Sequence, residues 1–160
     1  MPVNRDSVGE HGEWTVMKLL TRRYGRTEPR FRPLFLGAKY PTIDVFVELI
    51  GIRGPQTPYF FAQVKATSTG YDGRGRLRVR VSSDKVLRLV RYPAPTYVIG
   101  VDEEDERAFI MAAIAGGSTG FPNLPVNYPL DEERTLQALY SEVEAFWRTS
   151  STRFTASQFT

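Results

Sequence analysis

Cysteine is absent from the 160-residue chain, and His11 is the only histidine. The absence of cysteine excludes disulfides, thiolate metal sites and cysteine nucleophiles, and a single histidine argues against both a zinc site and Ser-His-Asp catalysis. Long apolar runs are also missing, since no segment reaches the ~20 residues needed to cross a bilayer. The first residues lack the apolar centre of a signal peptide. We therefore expect a cytoplasmic protein with no membrane association.

Charge is modest in total but uneven along the chain. The net charge is +3, yet basic residues predominate over residues 53–91 and acidic residues over residues 102–144. One side of the protein is therefore expected to attract a polyanion that the other side repels. With 41% hydrophobic residues, a chain of this length fills one core. We predict a single domain over residues 1–148 and a C-terminal tail of unclear structure over residues 149–160.

Apolar patterning predicts a sheet built from several short strands. Residues 42–49 and 59–65 alternate between apolar and polar positions and are separated by a Gly/Pro-rich turn, as in a hairpin. Residues 77–81 alternate again. Residues 96–102 are almost wholly apolar, which is typical of a central strand covered on both faces. The apolar run that begins at Arg107 predicts a neighbouring strand.

Three helices are predicted around these strands. The first begins near Asp6 or Ser7, ends near Tyr24, and carries Glu10 and Glu13 in line with an apolar face that includes Met17. A Ser-capped helix ends before Pro93, and an amphipathic helix spans residues 131–147. The order of helices and strands predicts an α/β (α+β) domain in which helices flank a central mixed sheet.

Polar side chains interrupt the two strands of the predicted hairpin. Asp44 lies near the start of one strand, and Gln63 and Lys65 share one face near the end of the next. In an antiparallel pair these ends are neighbours, so the three side chains are expected to converge. Asp44, the amide oxygen of Gln63 and the carboxylate of Glu13 are ligand types preferred by Mg²⁺ or Mn²⁺, and Lys65 would stabilise charge on a phosphate. The pattern predicts a metal-dependent phosphodiesterase site.

Structural alternatives exist for the same residues. Asp44 and Lys65 could form an ion pair across the hairpin, and Glu13 could serve the helix dipole, with Glu10 as its same-face substitute. A row of arginines also has two interpretations, because it could face water or contact a phosphate backbone. This row consists of Arg74, Arg76, Arg78 and Arg80.

The motifs resemble a known superfamily. TID, followed by FAQVKAT and preceded by GEHGEWTVMKLL, resembles the PD-(D/E)xK nucleases in the variant with Gln before x-K, as in Mrr-like restriction endonucleases. The run from QVKAT through VSSDKVLRLVRYPAPTYVIGVDEEDERAFIMA is most similar to the bacterial domain of unknown function 4365, and the resemblance spans about residues 9–147. It implies a restriction-endonuclease-like αβββαβ core and a site at Glu13, Asp44, Gln63 and Lys65.

The resemblance also implies DNA as the partner, a role in bacterial defence or DNA processing, and either a homodimer or a separately encoded partner protein. The chain departs from the superfamily pattern at Gln63, where Asp or Glu is more usual, and at Pro41, which lies three positions before Asp44. A neutral ligand lowers the negative charge offered to a metal. The sequence therefore supports a metal-dependent nuclease and, as alternatives, a catalytically inactive nucleic-acid-binding or adaptor module or a protein-interaction module with an acidic docking half.

Overall fold

The computed structural model describes residues 5–37, 40–150 and 156–159, with side chains from residue 9 onwards. Within these ranges, three α-helices surround one five-stranded sheet, so the predicted mixed α/β architecture is confirmed. The elements are α1 (Arg5–Leu20), β1 (Phe31–Phe35), β2 (Val45–Leu49), β3 (Tyr59–Thr67), α2 (Ser83–Val90), β4 (Thr96–Asp102), β5 (Arg107–Ala112), a 3-10 turn (Ala113–Gly116) and α3 (Glu133–Thr149). No helix in the described ranges is long and apolar enough to cross a membrane.

The strands lie in the sheet in chain order, β1-β2-β3-β4-β5. The first three are antiparallel, and the predicted β2–β3 hairpin is confirmed, with Val45 opposite Ala62 and Glu48 opposite Tyr59. The chain then crosses through α2 to β4, which is parallel to β3, and β5 returns antiparallel to β4. A parallel pair requires such a crossover, so α2 is placed over one face of the sheet next to the end of β3.

Each face of the sheet has its own hydrophobic cluster. On one face α1 and α3 pack through Val16, Leu19, Leu136 and Val143. On the other face α2 packs through Val86 and Leu89, together with apolar side chains of residues 77–81 and 121–124. All seven residues of β4 are buried, as predicted for a strand covered on both sides.

The prediction of a regular strand at residues 77–81 was wrong. Leu77, Val79 and Val81 are buried, as their alternation predicted, but the segment makes isolated bridges, from Leu77 to Tyr71 and Leu124 and from Val81 to Phe121. These partners lie outside the strands, and isolated bridges do not form a ladder. The segment packs closely over β4, because a Cβ at Gly100 would lie 2.9 Å from a methyl group of Leu77 and 3.0 Å from one of Val79. Glycine at this position therefore permits the close approach.

The first helix is shorter than predicted. It ends at Leu20, and Tyr24 has a left-handed backbone with φ 48°, which a helix cannot contain. The Tyr24 hydroxyl instead donates to the carbonyl of Asp131 at 2.7 Å. Met17 is only partly buried and lies at the margin of the helix's buried face. The side chains of the predicted caps, Asp6 and Ser7, lie outside the described residues.

The two later helices also differ in detail from prediction. Ser82 is the N-cap residue of α2, but its side chain makes no capping hydrogen bond. Helix α3 begins at Glu133 rather than at Asp131, whose carboxylate accepts a hydrogen bond from Arg107 at 3.2 Å. The helical periodicity of apolar residues predicts that Val90 and Phe146 face the core, but they are 37% and 40% exposed because each lies at the edge of its helix's apolar stripe.

Candidate metal and nucleic-acid site

Asp44 lies where β2 separates from β3. Its backbone N–H still donates to the carbonyl of Ala62 at 3.0 Å, but the next amide along β3, that of Val64, donates to Oδ2 of Asp44 at 2.7 Å. The Asp44 side chain thus takes the place of a backbone acceptor at the end of the ladder. This contact fixes the position of the carboxylate beside β3.

The chain turns sharply just before this carboxylate. Thr42 has a φ of 81°, a left-handed conformation that is uncommon for a threonine. Ile43 packs in the cluster under α2, whereas Val45 packs in the cluster under α1 and α3. The prediction that both side chains share one face was therefore wrong. A regular strand would place them on the same side, so the departure at Asp44 is a true break in β2.

Lys65 is brought into electrostatic contact with Asp44. Burial lowers the pKa of Lys65, the neighbouring Lys85 lowers it further, and the charge of Asp44 opposes the shift. Burial likewise raises the pKa of Asp44, while the Val64 amide and the two lysines lower it. The predicted grouping of Asp44 with Lys65 is therefore present, and it contains a second lysine.

Lys85 is the residue that sequence reasoning missed. It lies in the first turns of α2, the helix that crosses from β3 to β4, and its own side chain is exposed. Hydrophobic periodicity identified α2 but could not show which part of it meets the end of β3. The available signal was indirect, since the crossover that follows Lys65 must bring the start of α2 back over the sheet.

A direct ion pair does not explain Asp44 and Lys65. In the described part of the chain, no ion pair within 4.0 Å joins their side chains. The carboxylate is held by the Val64 amide, and Lys65 is within the electrostatic influence of Lys85 as well as of Asp44. The structural alternative of a hairpin salt bridge therefore lacks the contact on which it depends.

Glu13 belongs to the same electrostatic group. Partial burial raises its pKa to about 7, and the negative charges of Asp44 and Glu10 contribute to the increase. Helix α1 approaches β3 closely at Gly12, where a Cβ would lie 2.6 Å from that of Ala66. Glu13 lies more than two turns into α1, beyond the first turn over which a helix dipole acts. The dipole does not account for its position.

Gln63 lies two residues before Lys65 and is 3% exposed. Its side-chain oxygen, Oε1, is fully buried and has no hydrogen-bond partner among the residues that the structure describes. A buried polar atom left in this state costs about 1–3 kcal/mol, so an unmatched acceptor within a β-strand requires a reason. The structure provides no protein donor for it, which leaves the oxygen free to serve as a ligand.

The donor set fits a hard divalent cation. Two carboxylates and one amide oxygen are the oxygen ligands that Mg²⁺ and Mn²⁺ accept. No group of three or more His, Asp or Glu side chains that could hold a metal occurs within the described residues. A metal at this position would therefore need the Gln63 oxygen beside the carboxylates of Glu13 and Asp44, with water in the remaining positions.

The arginine row is not a uniform surface. Arg76 is held by Asp72 through its Nε at 2.9 Å and its terminal nitrogen at 2.8 Å. Amide hydrogen bonds from Arg76 and Arg74 lower the pKa of Asp72 to about 2, so this carboxylate stays ionised and keeps its partner. Arg74, Arg78 and Arg80 are exposed. One member of the predicted row is thus engaged in stabilising its own loop.

Comparisons with known proteins supply no family for this chain. No protein-family model matches it, and no curated protein or solved structure gives a significant match. The functional evidence is therefore the electrostatic group of Glu13, Asp44 and Lys65 next to the start of β2.

Proposed function

We propose that the protein is a metal-dependent nuclease that hydrolyses phosphodiester bonds in DNA. Glu13, Asp44 and Gln63 would hold Mg²⁺ or Mn²⁺, with Lys65 beside them. The observation that carries the proposal is the buried, unpartnered Oε1 of Gln63, two residues from Lys65 on the strand that also anchors the Asp44 carboxylate. The order α1, β1, β2, β3, α2, β4 supports a restriction-endonuclease-like αβββαβ core.

The electrostatics of the site favour a cation. Burial raises the pKa of both Glu13 and Asp44, and the charge of Asp44 adds to the increase at Glu13. Like charges in a partly buried site are relieved by a bound cation. The same cation would satisfy the Gln63 oxygen. One bound cation would thus relieve both the repulsion between the carboxylates and the unsatisfied Gln63 oxygen. Neither an Asp44–Lys65 ion pair nor a helix-dipole role for Glu13 would do so.

Each side chain has a distinct role in the proposed reaction. A bound divalent cation would supply Lewis acidity and lower the pKa of a coordinated water. Asp44 is pre-positioned by Val64, so little conformational freedom is lost when it binds. Lys65 and Lys85 present positive charge where a phosphate would carry its negative charge, and Lys65 is the more buried of the two. Charge stabilisation in a partly desolvated site is stronger than in water.

Cleavage of plasmid and linear DNA in Mg²⁺ or Mn²⁺ tests the proposal. We expect wild-type protein to cut, and Asp44→Asn and Lys65→Ala each to lose at least about 100-fold in rate. Asp105→Asn is the matched control, because it removes one exposed carboxylate in the turn between β4 and β5. Equal cutting by all four proteins would reveal a contaminating nuclease and reject the proposal.

A non-catalytic adaptor is the second candidate, and the neutral ligand at Gln63 favours it. Two carboxylates bind a divalent cation more weakly than three, because ligand charge sets much of the affinity. The adaptor predicts DNA binding without cleavage at any divalent-ion concentration. Gln63→Glu then separates the candidates, since it would restore a third carboxylate and strengthen metal-dependent cutting only in a working site.

A further inference from the structure

Three basic side chains form a stripe along α2. Lys85, Arg88 and Arg91 recur at every third residue, so each is a neighbour of the next on the helix surface, and Arg91 continues the stripe through the C-cap. All three are exposed. At a rise of about 1.5 Å per residue, the stripe extends about 9 Å, comparable to two or three phosphates of one strand at about 3.4 Å each.

The stripe begins at the candidate site. The charge of Lys85 acts on both Lys65 and the Asp44 carboxylate, lowering the pKa of each. A strand held along α2 would therefore reach the residues proposed to act on the phosphodiester. This path along α2 to the candidate site does not involve the arginine row at residues 74–80.

The other end of the stripe also lies near the segment that precedes Asp44. Arg88 and Arg91 line an open pocket of about 280 Å³, together with Tyr92, Pro41 and Thr42. Thr42 is the left-handed residue just before Asp44, so one wall of the pocket is the segment that positions the carboxylate. The pocket is below the ~300–1,000 Å³ typical of small-molecule sites. It is suited to one sugar or base of a passing strand rather than to a whole cofactor.

The stripe is free of internal ion pairs. Within the described residues, no acidic side chain lies within 4.0 Å of the Lys85, Arg88 or Arg91 charges. Asp84, one turn before Arg88, is the acidic residue of α2 itself. Arg76 shows the contrasting case, since its guanidinium is held by Asp72. The three charges of the stripe are therefore not neutralised by acidic partners within the described part of the chain.

We infer that the α2 stripe of Lys85, Arg88 and Arg91 binds the phosphate backbone of a DNA strand and leads it to Asp44 and Lys65. This inference rests on the proposed nuclease function and adds the surface that holds the substrate. It also assigns backbone binding to α2 instead of the predicted arginine row. Phosphate contacts of this kind provide affinity and position without reading sequence.

Binding of a labelled 30-base-pair DNA duplex in EDTA, measured from 50 to 200 mM KCl, tests the inference. We expect Arg88→Gln/Arg91→Gln to weaken binding at least about tenfold at 100 mM KCl and to reduce the magnitude of the salt slope by about 2. The matched control is Arg78→Gln/Arg80→Gln, which removes the same charge from two exposed positions and should bind as the wild type does. Thermal unfolding of both variants checks that they are folded.

Three outcomes would overturn the inference. Binding could be lost only in the Arg78/Arg80 variant, or equally in both variants, which would indicate a general effect of net charge. The third outcome is undetectable binding by the wild type. Cleavage assays in Mg²⁺ keep the underlying proposal separate. Wild-type cutting with unaltered binding by the α2 variant rejects the stripe and retains the nuclease. Binding that depends on α2 without any cutting retains the stripe and rejects the nuclease.

Discussion

The carboxylate of Asp44 accepts a 2.7 Å hydrogen bond from the amide of Val64, the residue between Gln63 and Lys65 on β3. One contact therefore links the break in β2 to the strand that carries the rest of the proposed site. It also gives Asp44 a structural role that is independent of any metal. The two roles are separable, because a neutral amide can keep the hydrogen bond while losing the charge.

Substitution of Asp44 should separate stability from activity. Asp44→Ala leaves the Val64 amide without a partner and is expected to lower the free energy of unfolding by about 1–3 kcal/mol. Asp44→Asn keeps an acceptor oxygen and should cost less than half of that, yet abolish cutting. Urea denaturation in EDTA and DNA cleavage in Mg²⁺ measure the two effects. An active Asp44→Asn protein would remove Asp44 from the proposed metal ligands.

Gln63 offers a test in which stability and function should move in opposite directions. Gln63→Leu removes the unsatisfied buried oxygen, so we expect the metal-free protein to become more stable by about 1 kcal/mol. A bound metal stabilises only the folded state, and the wild-type melting temperature should therefore rise with Mg²⁺ or Mn²⁺ concentration. Gln63→Leu should lose most of that rise. A destabilised Gln63→Leu protein with an undiminished metal response would show that the oxygen is not a ligand.

Glu13 predicts an unusual pH dependence of stability. Its pKa is about 7 in the folded protein, against an ordinary value of 4.5, because of burial and the charges of Asp44 and Glu10. The folded state therefore binds the proton more tightly than the unfolded state does. Its contribution to stability is fully present below about pH 4.5 and is lost as the pH rises through 7.

Glu13→Gln should remove this dependence. We expect the variant to be more stable than wild type at pH 8 in EDTA, with the difference shrinking as the pH falls toward 5. Glu10→Gln is the matched control, because Glu10 is exposed on the same helix and contributes the smallest of the three causes. Thermal melts at pH 5, 6, 7 and 8 provide the measurement. Parallel pH profiles for wild type and Glu13→Gln would contradict the raised pKa.

The fold was predictable where local pattern is sufficient. Alternation in β2 and β3 identified the hairpin, and the continuous apolar run of β4 identified a strand buried on both faces. The same alternation at residues 77–81 correctly identified the buried side chains but failed to predict their hydrogen bonding. Their bridge partners are Tyr71, Phe121 and Leu124, which lie in irregular segments. Pairing with an irregular segment leaves no periodic signal in either sequence.

Within the candidate site, the proximity of Asp44 and Lys65 was predictable, and much of the remaining geometry was not. Strand parity placed Gln63 with Lys65, and hairpin pairing placed Asp44 near them. The alternation of side chains could not show that the regular strand begins only after Asp44, because the break depends on the left-handed conformation of Thr42. The position of Lys85 near Lys65 depends on the path of the crossover from β3 to β4, and thus on tertiary structure. The close approach of α1, which positions Glu13, is visible in the sequence only as a glycine at position 12.

Two glycines of α1 should respond in opposite ways to the same substitution. A Cβ at Gly12 would lie 2.6 Å from the Cβ of Ala66, so Gly12→Ala must push α1 away from β3 and move Glu13 with it. We expect a loss of about 1–3 kcal/mol in stability and a fall in cleavage rate. A Cβ added at Gly9 would have no neighbouring atom within 4 Å among the described residues. Gly9→Ala should therefore raise stability by up to about 1 kcal/mol through helix propensity alone.

The pair tests whether the fit of α1 against β3 is needed for activity. Since Gly9→Ala leaves Glu13 in place, its cleavage rate should equal that of wild type. Gly12→Ala should show its loss mainly in kcat, because a displaced Glu13 impairs the site while the α2 stripe still binds DNA. Urea denaturation and single-turnover cleavage of the folded fraction provide the measurements. A Gly12→Ala protein that is as stable and as active as wild type would mean that the contact with Ala66 does not position Glu13.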